Sequence, residues 1–152
     1  MRRHAALENL IAPIVGSLGL TWVGLQYFPQ GKRSVLRLFI DKPGGLSVED
    51  CGRVSRQVDT VLSVEKPITG EYTLEVSSPG LDRLLFSLEQ CHEQIGKIVS
   101  VQLVAPKAGA RNFKGRLERV EGSLISLLTE SGDLSFSFDE MSEMRLVPVW
   151  SV

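Results

Sequence analysis

Two stretches of the chain carry apolar residues at the spacing of an amphipathic helix. Between residues 7 and 18 an apolar side chain recurs every three or four positions. This predicts a helix that Pro13 either kinks or delays and that Gly19 ends. A second helical stripe follows Ser47, and Asp50, three residues later, completes a variant of the capping box. Both helices should therefore bury one face.

Two further stretches alternate apolar and polar side chains, which is the pattern of a half-buried strand. They lie at residues 21–28 and 34–41, and turn-forming residues separate them. The pattern predicts a β-hairpin. Because successive side chains of a strand point to opposite faces, Val23, Leu25 and Tyr27 are expected on one face of the first strand.

The chain changes character at residues 71–83. Tyr72, Leu74 and Val76 alternate with polar residues and predict a strand, which we expect to hold the sheet of a first domain together. The turn formers at residues 77–80 end this strand. Helices and strands alternate before the segment, and short strands follow it. The segment is therefore either a structural joint between two domains or a surface built for a partner.

The second half of the chain reads mostly as short strands. Gly115 inside one of them fits a sharp bend, and residues 107–112 are expected to form a mobile loop. Five strands with one helical turn at residues 139–142 predict a small, strongly bent barrel of the Sm or SH3 type. The strands are predicted at residues 98–104, 113–120, 124–129, 134–138 and 143–148.

The predicted fold is α+β with two domains. Residues 1–85 form an N-terminal α/β domain of helix-strand-strand-helix-strand order, with its helices on one face of a small sheet. A linker helix at residues 86–94 leads to the five-stranded barrel at residues 95–152. With 152 residues, of which 43% are hydrophobic, the chain is long and apolar enough for two small packed domains. No apolar run of the sequence approaches bilayer length, and we expect a cytoplasmic protein that does not bind membranes.

Charge is distributed unevenly in the second half. The net charge of the chain is −1, which argues against nucleic-acid binding through bulk positive charge. Residues 97–119, however, hold six basic and one acidic side chain (+5), and residues 120–152 hold six acidic and one basic (−5). Either this segregation only keeps the domain soluble, or the basic half faces a partner and the acidic half faces away from it. The candidate partner-facing residues are Lys107, Arg111, Lys114, Arg116 and Arg119.

The residue types that catalysis and metal binding require are scattered along the chain. Neither histidine has a cysteine or carboxylate nearby at ligand spacing. Cys51 and Cys91 are far apart, fit no metal or redox pattern, and are expected to be small buried hydrophobes in a reducing compartment. Ser77 and Ser78 do not lie in a nucleophile elbow. We therefore expect no catalysis, no metal and no cofactor.

Several of these segments resemble a known family. Residues 74–83 (Leu-Glu-Val-Ser-Ser-Pro-Gly-Leu-Asp-Arg) resemble the signature of the bacterial ribosome maturation factor RimP family. Blocks at residues 36–42 (Leu-Arg-Leu-Phe-Ile-Asp-Lys), 48–51 and 54–58 keep that family's order and spacing. The similarity runs over nearly the whole chain. One departure is Leu84-Leu85, where the family usually has Pro-Leu, and this should loosen the joint.

The resemblance implies a function and partners. It implies a non-catalytic assembly factor that binds immature small ribosomal subunits in the bacterial cytoplasm and promotes their maturation, with ribosomal RNA and a small-subunit ribosomal protein as partners. Such a factor would be a monomer. Fold analogy alone gives the alternative, an Sm-like RNA-binding module that acts as an oligomeric ring. The oligomeric state separates the two.

The joint between the domains has its own candidate residues. We expect Pro79 and Gly80 to set the path of the chain there. Asp82 and Arg83 are expected to pair with each other or, alternatively, one of them to contact the second domain or the ribosome. The full candidate set is Ser78, Pro79, Gly80, Asp82 and Arg83.

Overall fold

The structure, a computed structural model, describes residues 4–30, 32–80 and 82–148. Its contacts divide the chain into two compact units, His4–Pro79 and a second unit that begins at Gly80. Leu81 of the predicted signature and residues 149–152 of the predicted second domain lie outside the described residues.

The first unit has the predicted order of helix, strand, strand, helix and strand. Its elements are α1 (Ala5–Ser17), β1 (Thr21–Gln30), β2 (Arg33–Asp41), α2 (Val48–Glu65) and β3 (Glu71–Ser77). The sheet has the order β1-β2-β3, with β2 antiparallel to β1 and parallel to β3. Alternate residues of β2, namely Leu36, Leu38 and Ile40, are fully buried together with apolar residues of both helices. Both helices thus cover the same face of the sheet, as predicted.

The third strand lies at the edge of this sheet, so the prediction that it holds the sheet together is wrong. Within the described residues β3 pairs with β2 alone. Its Leu74 and Val76 are half-buried, whereas their cross-strand partners Leu36 and Leu38 are fully buried. A central strand has a neighbour on each side, and an edge strand has one. The strand that organises the first unit is therefore β2.

A β-bulge in β1 changes which of its residues face the core. The register against β2 passes from Trp22 directly to Gly24, and one extra residue reverses the alternation of a strand. Trp22 consequently packs against the same core as Leu25 and Tyr27. Val23 is buried but lies outside that core cluster. The predicted common face is correct for Leu25 and Tyr27 and wrong for Val23.

The first helix runs past its proline and ends at a glycine. Pro13 lies inside α1 on its exposed side, so it does not delay the start of the helix. Gly19 has the left-handed φ of +77°. The amide of Gly19 donates to the carbonyl of Gly16 at 3.0 Å, and the amide of Leu20 donates to that of Val15 at 3.2 Å. These two bonds form a Schellman motif, which terminates the helix as predicted.

The second helix begins with the predicted capping box. Ser47 Oγ accepts from the amide of Asp50, and Asp50 Oδ2 accepts from the amide of Ser47, both at 3.0 Å. The buried Asp50 carboxylate also pairs with Arg53 at 2.8 Å and with Lys42 at 3.3 Å. The hydrogen bond from the Ser47 amide, followed by the bond from Arg53, lowers the pKa of Asp50 far below its usual range.

In the residues that the structure describes, the second unit contains one short helix and five strands. Its elements are α3 (Leu88–Glu93), β4 (Ile98–Lys107), β5 (Ala110–Glu121), β6 (Leu124–Thr129), β7 (Gly132–Ser137), a 3-10 turn (Phe138–Glu140) and β8 (Met141–Leu146). All five predicted strands are present, and so is the helical turn before the last one. The sheet has the order β7-β6-β5-β4-β8, and every neighbouring pair is antiparallel.

This five-stranded sheet is open. In the described part of the chain β7 and β8 occupy its two outer positions and do not pair with each other. The α+β class and the five-stranded second sheet are thus confirmed, whereas strand pairing does not close a barrel. The Sm or SH3 barrel type stays a prediction.

The outer edge of β8 is covered by the segment through which the chain enters the unit, residues 83–85. The amide of Leu85 donates to the carbonyl of Met144 at 2.9 Å. The amide of Leu146 donates to the carbonyl of Arg83, also at 2.9 Å. These bonds use backbone groups that an edge strand would otherwise expose.

Apolar residues of the same region belong to the core of the second unit. Leu85, which precedes α3, and Cys91, which lies in α3, are fully buried in that core. By these contacts Leu85 lies in the second unit, whereas the sequence-based boundary followed residue 85, and α3 packs on the core instead of forming an isolated linker. Burial of the Cys91 thiol was predicted and raises its pKa to about 11. Cys51, predicted to be buried, is only half-buried.

Candidate interaction surface

Three basic side chains of β5 lie on one side of its sheet: Lys114, Arg116 and Arg119. We name them the basic face. All three are exposed, and Gly115 and Leu117 between them are buried. For Lys114 and Arg116 this is the alternation of a regular strand whose other side faces the core.

Arg119 joins the basic face because β5 contains a bulge. The register against β6 skips Glu118, which is the extra residue. Arg116 lies opposite Leu128, and Arg119 lies opposite Ser126. Since residues 126 and 128 of a regular strand point to the same side, Arg116 and Arg119 do so as well. Plain alternation would have placed Arg119 on the opposite side from Arg116.

Gly115 allows the strands that carry the basic face to come together. A Cβ atom at this position would lie 2.6 Å from the carbonyl oxygen of Leu128 and 3.3 Å from Cα of Thr129. Both contacts are with backbone, which cannot rotate away as a side chain can. Gly115 was predicted to mark a sharp bend, and the close approach of β6 is the observed reason for a glycine here.

The basic face has no carboxylate partner among the described residues, and neither has Arg111. Lys107, by contrast, forms an ion pair with Glu140, with Nζ 3.5 Å from Oε2. The hydrogen bond from the Ser137 amide, together with the charge of Lys107, lowers the pKa of Glu140. Of the five predicted partner-facing residues, four therefore carry an exposed cation without an ion-pair partner in the described ranges.

The predicted mobile loop at residues 107–112 is instead a tight hairpin. β4 extends to Lys107 and β5 starts at Ala110, and these two residues pair across the turn. Ala108 and Gly109 form the turn with positive φ values of 51° and 83°. Arg111 is thus an exposed strand residue near the hairpin tip.

Two acidic residues of the second half, Asp133 and Glu143, share the exposed side of the sheet with the basic face, so the alternative in which the acidic half faces away does not hold for them. Glu143 of β8 lies opposite Gln102 of β4. Asp133 of β7 lies opposite Leu128, whose other neighbour is Arg116. The reason is the sheet order, in which strands from both halves of the segment lie side by side. The basic face is therefore flanked on both sides by carboxylates.

The predicted joint residues fall on both sides of the division between the units. Ser78 is exposed and Pro79 half-buried at the end of the first unit, and Gly80 begins the second. The backbone of Gly80 is not in the left-handed conformation that glycine can readily adopt.

Asp82 and Arg83 do not pair with each other. Arg145 Nη1 of β8 donates to the Asp82 carbonyl at 3.1 Å and lies 3.4 Å from its carboxylate. Arg83 is half-buried, and its Nε is a buried donor without a hydrogen-bond partner in the described residues. An unpaired buried donor of this kind costs about 1–3 kcal/mol. The contact of Asp82 with β8 thus matches one of the two alternatives left open by the sequence.

Sequence reasoning missed Arg145 as a candidate. It bridges Asp82 and Glu143, at 3.4 and 3.5 Å, and its backbone pairs with Leu84 and with Ser100. The available signal was its isolation, because Arg145 is the one basic residue in an otherwise acidic stretch.

Two other kinds of site are absent from the described residues. No three histidine, cysteine, aspartate or glutamate side chains of the described ranges come together as a metal site. Over the same ranges no helix is both long and apolar enough to cross a membrane. A depression borders the basic face, and the residues that line it include Ser100, Gln102, Asn112, Lys114 and Glu143.

These features define an α+β protein of two units whose candidate site is an exposed, charged sheet surface. Residues 10–82 match the family model described as the RimP N-terminal domain. This stretch is thus an N-terminal domain of the RimP family, a family of ribosome maturation factors. The match includes the resembling segment at residues 74–83 except for its last residue.

Proposed function

We propose that this protein is a non-catalytic assembly factor that binds immature small ribosomal subunits in the cytoplasm and promotes their maturation. Family membership supports the particle as the partner. The single observation that supports the mode of binding is the basic face, with three exposed cations on one side of β5 and no carboxylate partner in the described residues.

The basic face suits the phosphate backbone of ribosomal RNA. Lys114 and Arg116 are two residues apart in a strand, so their side chains project about 7 Å from each other. Arginine and lysine neutralise phosphates, and such contacts position a protein without reading base sequence. The flanking carboxylates Glu143 and Asp133 repel phosphates on either side of the basic face. They therefore reduce the number of orientations in which the RNA backbone can bind.

Binding without catalysis is supported by where the perturbed carboxyl groups lie. Strongly shifted pKa values are common at catalytic sites, but helix caps also produce them. Asp50 and Glu140, whose pKa values are lowered, each accept the amide hydrogen bond of a helix N-cap residue. The proposal predicts that the purified protein hydrolyses no nucleotide, and turnover that follows the protein through purification would contradict it.

The alternative, an Sm-like module that works as a ring, is disfavoured by the edges of the second sheet. A ring built by strand pairing needs a free edge on both sides of each subunit. Here residues 83–85 already hydrogen-bond to β8. We therefore propose a monomer. The sheet order, which places the last strand beside the first, supports the finer proposal of a bent Sm- or SH3-like barrel that stays unassembled.

A salt titration of particle binding tests the proposed interface. In Lys114→Ala/Arg116→Ala, binding to immature small subunits should weaken. The slope of log K against log salt concentration should fall by about 1.4–1.8, as expected for the loss of two phosphate contacts. The matched control is Lys32→Ala/Arg56→Ala, which removes two exposed cations from the first unit. If Lys114→Ala/Arg116→Ala binds with the affinity and the salt slope of the wild type, the basic face is not part of the interface.

A further inference from the structure

The outer edge of β7 is open. Among the described residues β7 (Gly132–Ser137) pairs with β6 and has no strand on its other side. The opposite edge of the same sheet, at β8, is covered by the segment at residues 83–85. An uncovered edge presents unpaired amides and carbonyls to any extended chain that approaches it.

One hydrogen bond shows which backbone groups of β7 point outward. The amide of Ser137 donates to Glu140 Oε1 at 2.9 Å, so it points away from β6. Residues of an antiparallel strand alternate between bonding their partner and pointing away from it. Ser135 and Asp133, two and four residues earlier, therefore also direct their amides outward. The Ser137 donor is occupied by Glu140, and the amides of Asp133 and Ser135 have no strand to bond on that side within the described ranges.

The two sides of β7 present different chemistry to an added strand. Asp133 and Ser135 are exposed on the outward side of the sheet. Leu134 is half-buried on the other side and packs against the core, next to the buried Phe136. A strand added at this edge would meet a carboxylate with one set of alternate side chains and an apolar rim with the other.

The surroundings of the edge are acidic. Glu130, Asp133 and Asp139 are exposed and form no ion pair with a described residue. No basic residue occurs in the sequence between Val120 and Met144. A second copy of β7 would place like charges opposite one another, which is destabilising. A segment that alternates basic and apolar side chains has the complementary charge.

We propose that the outer edge of β7 binds a basic, extended segment of a partner protein by adding it to the sheet as a further strand. Backbone hydrogen bonds would supply affinity, and the acidic surroundings would select basic segments. This goes beyond the proposed function, in which the basic face of β5 meets RNA. It assigns the protein component of the particle to a different part of the same sheet.

The test uses the full chain and a labelled peptide of about ten residues that alternates lysine and valine, long enough for a typical strand. Fluorescence anisotropy should show that the wild type binds it. The same peptide with glutamate in place of lysine should not bind. Ser135→Pro removes the outward amide and the hydroxyl, whose Oγ lies 3.1 Å from Ser126 Oγ of β6, but no backbone bond to β6. It should weaken binding at least about tenfold. The matched control Ser135→Ala removes the same hydroxyl, keeps the amide, and should bind within about twofold of wild type.

Two further measurements keep the test decisive if Ser135→Pro fails to fold. In the wild type, peptide binding should slow hydrogen exchange of the Asp133 and Ser135 amides. Asp133→Asn should weaken binding and reduce its salt dependence. Unchanged exchange at both amides, equal binding of the acidic peptide, or a β7-mediated dimer in sedimentation would each overturn the proposal.

The proposal and the proposed function fail separately. Lys114→Ala/Arg116→Ala should keep peptide binding because its substitutions lie on β5 and away from the open edge. Loss of peptide binding in that variant, with normal binding in Ser135→Pro, would overturn the proposal for β7 and leave the RNA interface standing. If the peptide binds as expected but Lys114→Ala/Arg116→Ala keeps the wild-type salt slope of particle binding, the proposed RNA interface is overturned and the proposal for β7 stands.

Discussion

Gly115 occupies a position between two strands where a side chain has no room. Its neighbours Lys114 and Arg116 are exposed, and a Cβ atom between them would lie 2.6 Å from the backbone oxygen of Leu128. A single missing methyl group thus lets β5 and β6 pair where the basic face is built. At this scale the surface depends on a residue that contributes no charge.

Replacing this glycine should lower the free energy of unfolding without removing a charge from the basic face. Gly115→Ala forces β6 away and should cost about 1–3 kcal/mol in unfolding free energy, as overpacking does. The matched control is Gly16→Ala, where nothing lies within 4 Å of the added atom. Because alanine restricts the unfolded chain, the control should gain about 0.4–1 kcal/mol. Chemical denaturation measures both, and equal effects in the two variants would contradict the steric account.

Asp50 gives the first unit a dependence on pH. Its carboxylate is held by Ser47, Arg53 and Lys42, and its pKa lies far below the usual value. A carboxyl group whose pKa is lowered in the folded state stabilises the fold at pH values above its unfolded-state pKa, which is about 4 for aspartate. This stabilisation is lost as the pH falls toward the folded-state pKa. Asp50→Asn should therefore be less stable than wild type at neutral pH. The difference should shrink progressively below about pH 4, as measured by thermal unfolding, and a constant difference down to pH 2 would contradict this.

At the scale of elements, the two parallel strands of the first sheet, β2 and β3, differ in how deeply their apolar side chains are buried. Leu36 of β2 and Leu74 of β3 lie opposite each other, but Leu36 is fully buried and Leu74 half-buried. Position in the sheet accounts for the difference, since β2 is flanked on both sides and β3 on one.

Replacing each of these two leucines by alanine should lower the free energy of unfolding by different amounts. Leu36→Ala should cost about 3–5 kcal/mol, through lost burial and the cavity left behind. Leu74→Ala removes the same atoms from a partly wet site and should cost about 1–2 kcal/mol. Denaturant midpoints with unchanged slopes measure both values. Equal costs would show that β3 is as central as its sequence pattern first indicated.

At the scale of the whole molecule, the second sheet has two edges of different character. Residues 83–85 cover β8, whereas β7 has no further strand beside it in the described residues and is surrounded by carboxylates. Covered and charged edges are two ways in which proteins avoid pairing with their own copies.

The molecule should therefore be a monomer. Analytical ultracentrifugation is expected to give one species of the chain's own mass, 16.8 kDa, over a wide concentration range. A hexamer or heptamer would support the Sm-like ring instead, and would require the segment at residues 83–85 to leave β8.

Sequence periodicity predicted most elements but not their positions in the sheets. The stripes of α1 and α2, the capping box at Ser47 and the strands of the second half follow from local spacing. The bulges at Val23 and Glu118 do not, because an extra residue leaves the composition of a strand unchanged. Leu74 alternates with polar residues just as an inner-strand residue would, so its edge position was not visible.

The candidate surface was predictable in outline only. Lys114 and Arg116 follow from alternation, and Arg119 joins them through a bulge. Whether a cation is paired depends on residues distant in sequence, as with Lys107 and Glu140. For the same reason the Asp82–Arg145 contact and the open edge of β7 became visible only with the fold.

The hydrogen bonds between residues 83–85 and β8 determine where the chain can be cut. A fragment that starts at residue 95 would lose Leu85 from the core and expose the backbone of β8. It would then carry two open edges on one small sheet, a combination that promotes self-association and aggregation. A fragment that starts at Gly80 keeps both the core residue and the edge cover. The short stretch ahead of α3 thus serves the second unit as a built-in protective strip.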